Sequence, residues 1–130
     1  MNRRSYRSGT EWEQRVGYSR AVRVGAQVHV SGTTATDADG RIVGVGDVAE
    51  QMRQCLRNIA TALEQLGARL EHVVRTRIYV IDIEHWERIG SVHEEVFATI
   101  RPATSMVQVA GLIAPEILVE VEAEAYVESE

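Results

Sequence analysis

The run LVEVEAEAYV, residues 118 to 127, alternates without a break: Val119, Val121, Ala123, Ala125 and Val127 take every second position, with Glu120, Glu122 and Glu124 between them. Successive side chains of a strand point to opposite faces, so the pattern dictates one apolar face and one carboxylate face. A chain containing it must build a sheet that buries one side and leaves three like charges on the other. Those charges need water, cations or a ligand opposite them.

The rest of the chain supplies the partners of such a strand. YSRAVRV (18 to 24) and QVHVSG (27 to 32) are β-rich runs separated by Gly25-Ala26, which predicts a tight hairpin. DADG at 37 to 40 is a turn signal, and RIVGV (41 to 45) after it reads as a short third strand. Asp47 and Glu50 fit a capping box that opens a helix, whose Met52, Leu56, Ile59, Leu63 and Leu66 form one buried stripe ended by Gly67. HVVRTRIYVI (72 to 81) returns to period two, with Val74, Thr76, Ile78 and Val80 on one face and Arg75, Arg77 and Tyr79 on the other. Asp82 caps a second helix with the stripe Trp86, Ile89, Val92, Val96 and Ile100, and Pro102 stops it. TSMVQVAG and ILVEVEAEAYV are the last two strands, expected to pair antiparallel across AGLIAPE, which sets Thr104, Met106 and Gln108 beside Glu120.

The predicted order is β-β-β-α-β-α-β-β, an α+β pattern with both helices on the apolar face of one sheet. Residues 1 to 17, polar and rich in arginine, are expected to form a flexible arm, and residues 18 to 130 one domain. The length of 130 residues, 45% of them hydrophobic, suits a single core.

Several classes of function fall away. Nothing approaches a membrane span or signal peptide, so a cytoplasmic protein is expected. Cys55 is the only cysteine and falls in a helical pattern, so neither a disulfide nor a cysteine metal site can be written. No glycine-rich phosphate loop, GxSxG elbow or HExxH helix is present, and no cofactor or metal is expected. A net charge of −5 disfavours nucleic acid as a partner.

Some residues carry chemistry by position. Glu120, packed near other carboxylates in a cleft, would exchange protons near neutrality, whereas Arg75 and Arg77 paired with the row would keep it ionised. His93 sits at the edge of the second helical stripe, as a structural histidine or a proton carrier. Ser31, Gly32 and Thr33 lie at a strand end, where amides and hydroxyls can hold a carboxylate or carbonyl oxygen, or where Gly32 simply marks a bulge.

The stretches YSRAVRVGAQVHVSGTTA, DVAEQMRQCLRNIATALEQLGA, VVRTRIYVIDIEHWERIGSVHEEVF and RPATSMVQVAGLIAPEILVEVEAEAYV together resemble the RidA family, also called YjgF or L-PSP, over residues 16 to 127. The resemblance implies a chorismate-mutase-like fold assembled as a homotrimer, with sheets lining a central barrel and three clefts between subunits. It implies hydrolysis of enamines and imines, released by pyridoxal-phosphate enzymes, to 2-oxo acids and ammonia without a metal or cofactor. In its best-known members an arginine grips the substrate carboxylate from a PARS-like motif, and RPATS places Thr104 there, with Arg101 as a possible substitute. Tyr18 matches a tyrosine that lines the cleft from the adjacent subunit, and Ser31, Gly32 and Thr33 match its strand-end segment. Glu120 matches the glutamate that orients the attacking water, with backbone groups near position 107. His93 stands where asparagine is common, and Met106 where cysteine is common. The implied partner is a small metabolite less anionic or larger than an amino-acid imine. The same cleft without turnover, a ligand-binding trimer, is the alternative, and the ribonuclease label that the family sometimes carries fits poorly with an acidic chain lacking a basic, aromatic-studded stripe.

Overall fold

The alternating run becomes strand β6 (Val119–Tyr126), in a computed structural model that describes residues 2–128. Its Val119, Val121, Ala123 and Ala125 are buried, as a central strand requires. The other strands are β1 (Arg3–Tyr6), β2 (Ala21–Val24), β3 (Gln27–Thr33), β4 (Val73–Val80) and β5 (Ala103–Gln108), with helices α1 (Glu11–Val16), α2 (Val48–Gln65) and α3 (Trp86–Phe97). They form one six-stranded sheet in the order β1-β2-β3-β6-β4-β5.

Local chemistry explains the boundaries. Gly25 takes φ 59 at the first turn position between paired Val24 and Gln27, where a left-handed residue lets the two strands keep their twist. Asp47 accepts the Glu50 amide at 3.1 Å and opens α2, one half of the expected capping box. At its other end Gly67 (φ 79) and Ala68 donate back to Glu64 and Leu63, the paired bonds of a Schellman cap. Asp82 caps the 3-10 turn Ile83–His85 that leads into α3.

Both helices cover one face of the sheet. Met52, Leu56, Ile59 and Leu63 of α2 meet Ile89, Val92 and Phe97 of α3 over Ile78, Val80, Val119 and Val121. Ile59 is fully buried, and Ile59→Ala is expected to cost about 2–5 kcal/mol, seen as a lower urea midpoint with an unchanged slope.

Six expectations are corrected. Residues 2 to 17 are built into the fold, because Arg4 of β1 donates to the Leu66 carbonyl at 3.1 Å, beside Arg23 at 2.8 Å, on the negative end of α2. RIVGV forms only a bridge between Thr36 and Ile42, since Asp37 holds the amides of Asp39 and Arg41 in a tight loop. Val74 leaves the apolar face at a bulge between Val73 and Arg75, and Trp86 is 56% exposed at the start of α3. β5 does not pair with β6. A helix between two strands returns the chain to its starting end, so β5 lies parallel to β4 while β6 takes the slot between β3 and β4. The sixth correction follows from the register Thr76↔Thr104, Ile78↔Met106 and Val80↔Gln108, which puts Thr104, Met106 and Gln108 on the helix-covered face.

Candidate functional site

The face without helices carries Arg75, Arg77 and Tyr79 of β4 against Glu120, Glu122 and Glu124 of β6. Within it the three glutamates differ. Glu122 accepts the Tyr79 hydroxyl at 2.9 Å, and Glu124 lies 3.4 Å from Arg77 and 3.7 Å from His29. Among the described residues Glu120 has no hydrogen-bond or ion-pair partner within range. Burial pushes its carboxyl above the usual carboxylate range, Arg20 opposes that, and Glu122 adds to it.

A bulge builds the wall beside Glu120. Between Val30 and Thr33, β3 uses three steps where β6 uses two, from Ala123 to Val121. Gly32 sits in this bulge, and a Cβ on it would overlap the Glu120 carboxylate, reaching 3.0 Å even from the Cδ carbon. Gly32 therefore marks a bulge, and its missing side chain makes room for the protein's own Glu120 carboxylate. Ser31 donates to the Ser19 carbonyl at 2.7 Å, and buried Thr33 donates to the Ser31 carbonyl at 2.7 Å. Tyr18 accepts from Arg20 at 3.2 Å, and Arg20 reaches the Gly32 carbonyl at 2.6 Å. Tyr18, Ser31, Gly32, Thr33 and Glu120 thus form one group.

Thr104 belongs to a second group, on the helix side. His93 Nε2 lies 2.9 Å from Thr76 Oγ1, which lies 2.8 Å from Thr104 Oγ1, while Thr104 also donates to the Pro102 carbonyl at 3.2 Å. Thr76 is fully buried and Thr104 stands on the exposed edge strand, so a histidine and a surface hydroxyl are linked through the interior. The His93 ring packs 4.6 Å from Phe97, and burial holds its pKa below the usual histidine value. A histidine harder to protonate when folded makes the protein lose stability as pH falls through the unfolded value of about 6.5. His93→Gln, which keeps a group for Thr76, is therefore expected to shrink the fall in Tm between about pH 7.5 and 5.5. An unchanged fall in a thermal scan would contradict that assignment.

Met106 is half-buried against the core, and Gln108 accepts the Ile83 amide at 2.9 Å. Arg101 takes φ 54, its amide bonded to the Phe97 carbonyl at 2.9 Å, and no bond of its side chain joins it to either group among the described residues. Among the described residues no hydrogen bond or ion pair joins the Glu120 group to the Thr104 group either. Arg20 and Glu13 were missed in the sequence. The signal for Arg20 was a cation within the β-rich run YSRAVRV at the parity of Val22 and Val24, whereas Glu13 lay in the stretch expected to form a flexible arm.

Among the described residues no cluster of three or more metal-ligating side chains occurs, and no helix is long and apolar enough to cross a membrane.

Comparison with known proteins places this geometry. The family described as Endoribonuclease L-PSP matches residues 9–127. The uncharacterized protein SCO2049 of Streptomyces coelicolor is 37% identical over 123 residues, 95% of this chain and 91% of that protein. The crystal structure of Rv2704 from Mycobacterium tuberculosis, a member of the YjgF/YER057c/UK114 family, superposes with a TM-score of 0.89 at 53% identity, covering 97% of this chain and all (100%) of that one. Escherichia coli TdcF with bound serine superposes with a TM-score of 0.78 at 26% identity, covering 85% of this chain and 88% of that one. The chain belongs to the Endoribonuclease L-PSP family, whose members are also called YjgF or RidA proteins.

Proposed function

We propose that this protein hydrolyses a small imine or enamine, with Glu120 as the proton-transfer group. The observation that carries the reading is the isolated, half-buried Glu120 carboxylate, seated against Gly32 where any side chain would overlap it. Its raised proton affinity suits a base that must take a proton from water near neutrality. Glu120 removes a proton from a water whose oxygen adds to the imine carbon. That proton passes to nitrogen, the proton of the new hydroxyl follows it as the C=O bond forms and the C–N bond breaks, and ammonia leaves with the carbonyl product. One water is consumed, and no oxidant, metal or cofactor enters the balance. The serine held by Escherichia coli TdcF supports a small polar molecule as the ligand class.

The cleft is part of the same proposal. Among the described residues no layer covers the glutamate face, and the Glu120 and Thr104 groups lie on opposite faces of one sheet. Assembly as a homotrimer brings the Thr104 edge of one copy to the Glu120 group of the next, with Tyr18, Ser31 and Thr33 shaping the pocket and His93 behind Thr104. Thr104 offers a hydroxyl and no charge, so the preferred substrate carries no carboxylate, or carries it beyond this edge. Light scattering should return three times the chain mass of 14.5 kDa. A mass of 14.5 kDa for a species that hydrolyses imines would sink the shared cleft.

RNA is not the proposed substrate. Arg77, Arg53 and Arg15 are each paired with glutamates, which leaves these cations neutralised rather than gathered into a basic stripe.

A further inference from the structure

Arg20 occupies the junction of three segments. From β3 it holds the Gly32 carbonyl at 2.6 Å and Thr33 Oγ1 at 3.3 Å, and from the loop before β2 it donates to the Tyr18 hydroxyl at 3.2 Å, with its guanidinium 5.5 Å from that ring. From α1 the Glu13 carboxylate approaches its Nε at 3.6 Å, and both side chains are nearly shut off from solvent, 11% and 3% exposed. Glu13 is itself fixed. It accepts the Ser8 amide at 3.0 Å, the Ser8 hydroxyl, and the Thr10 hydroxyl at 3.1 Å. Burial alone would raise its pKa, but the bonds from Ser8 and Thr10 and the charge of Arg20 outweigh it and hold the carboxyl below its usual value. A cation so enclosed is expensive to bury, and its bonds to a bulge carbonyl and a cleft tyrosine give it a use.

We propose that Arg20 is a positioning residue of the Glu120 cleft: anchored from behind by Glu13, it fixes the Gly32 carbonyl at the bulge and sets the field in which Glu120 ionises. The proposal rests on the reading of Glu120 as the proton-transfer group. The charged or titratable groups around Glu120 are Glu122 on its own strand, Tyr79 opposite it on β4, Cys55 on α2, and Arg20. Arg20 is the one cation among them, so its removal has a sign that simple loosening does not share. It also ties residues 8 to 13, outside the strands that form the cleft, to the site.

Carbon-detected NMR titration of the Glu120 carboxyl tests this without any substrate. Arg20→Gln is expected to move the Glu120 midpoint to higher pH than in the parent, and Arg20→Lys, which keeps the charge, to leave it close to the parent. An unmoved midpoint in folded Arg20→Gln, or equal shifts in both variants, overturns the proposal. Should Arg20→Gln not fold, the parent answers instead: the Arg20 side-chain nitrogen resonances should show an inflection at the Glu120 midpoint that vanishes in Glu120→Gln, and its persistence there overturns the proposal. Turnover separates the two claims. Full hydrolysis by Glu120→Gln would end the catalytic reading and leave the titration result standing.

Discussion

Glu120→Gln is expected to lower imine hydrolysis by about 10²–10⁴-fold, the range supplied by one positioned proton-transfer group. The amide keeps the size and occupies the same space beside Gly32, but it cannot take a proton from water. The structure should survive the change, because Glu120 holds no partner that the substitution would strand. It should even gain stability. A carboxyl whose proton affinity is raised by folding favours the folded state as pH falls to and below that raised value, and its ionisation above it costs stability. At neutral pH the glutamine variant escapes that cost, so the parent should gain Tm relative to the variant as the pH is lowered from about 7.5. Ammonia release above the spontaneous rate and a pair of thermal scans measure both effects. A variant that is inactive and also unfolded would assign Glu120 a structural role instead.

Thr104→Arg is expected to do the reverse for one class of substrate, raising kcat/KM for a 2-imino acid by about ten- to a hundredfold. A charge-assisted contact to a carboxylate contributes about 1.5–3 kcal/mol, and a planar guanidinium makes it through two parallel bonds. The edge strand leaves room, because position 104 is exposed. The gain has a cost on the other side: buried Thr76 loses the hydroxyl 2.8 Å away and keeps only His93 at 2.9 Å. Thr104→Lys should give less, since an ammonium lacks the fork geometry. Equal rates for parent and Thr104→Arg on a 2-imino acid would show that this edge does not meet the substrate.

How much of this was legible in the sequence depends on the range of the forces involved. Period-two alternation found β6, β3 and β4, and the stripe of α2 was read residue by residue, because each pattern is a local consequence of one buried face. The strand order was not local. Nothing within TSMVQ says that its neighbour is β4 rather than β6; that information lies in the helix α3 between β4 and β5, through the crossover that it imposes. One wrong pairing then put Thr104 and Met106 on the wrong face. The site showed the same split. Gly32 and Glu120 were each visible from residue type and position, whereas Arg20 and Glu13 become meaningful only when distant segments meet at 2.6 and 3.6 Å. Arg4 likewise looked like a charge on a loose arm until the Leu66 carbonyl supplied its partner.

The account stands or falls on one comparison: hydrolysis of a carboxylate-free imine, generated in place by a flavin amine oxidase, against a 2-imino acid generated by an amino-acid oxidase, each with the parent and with Glu120→Gln. The expected result is faster ammonia release from the carboxylate-free imine with the parent, little above background from the 2-imino acid, and neither with the variant. Rapid hydrolysis of the 2-imino acid, or no acceleration of any imine by the parent, would contradict it.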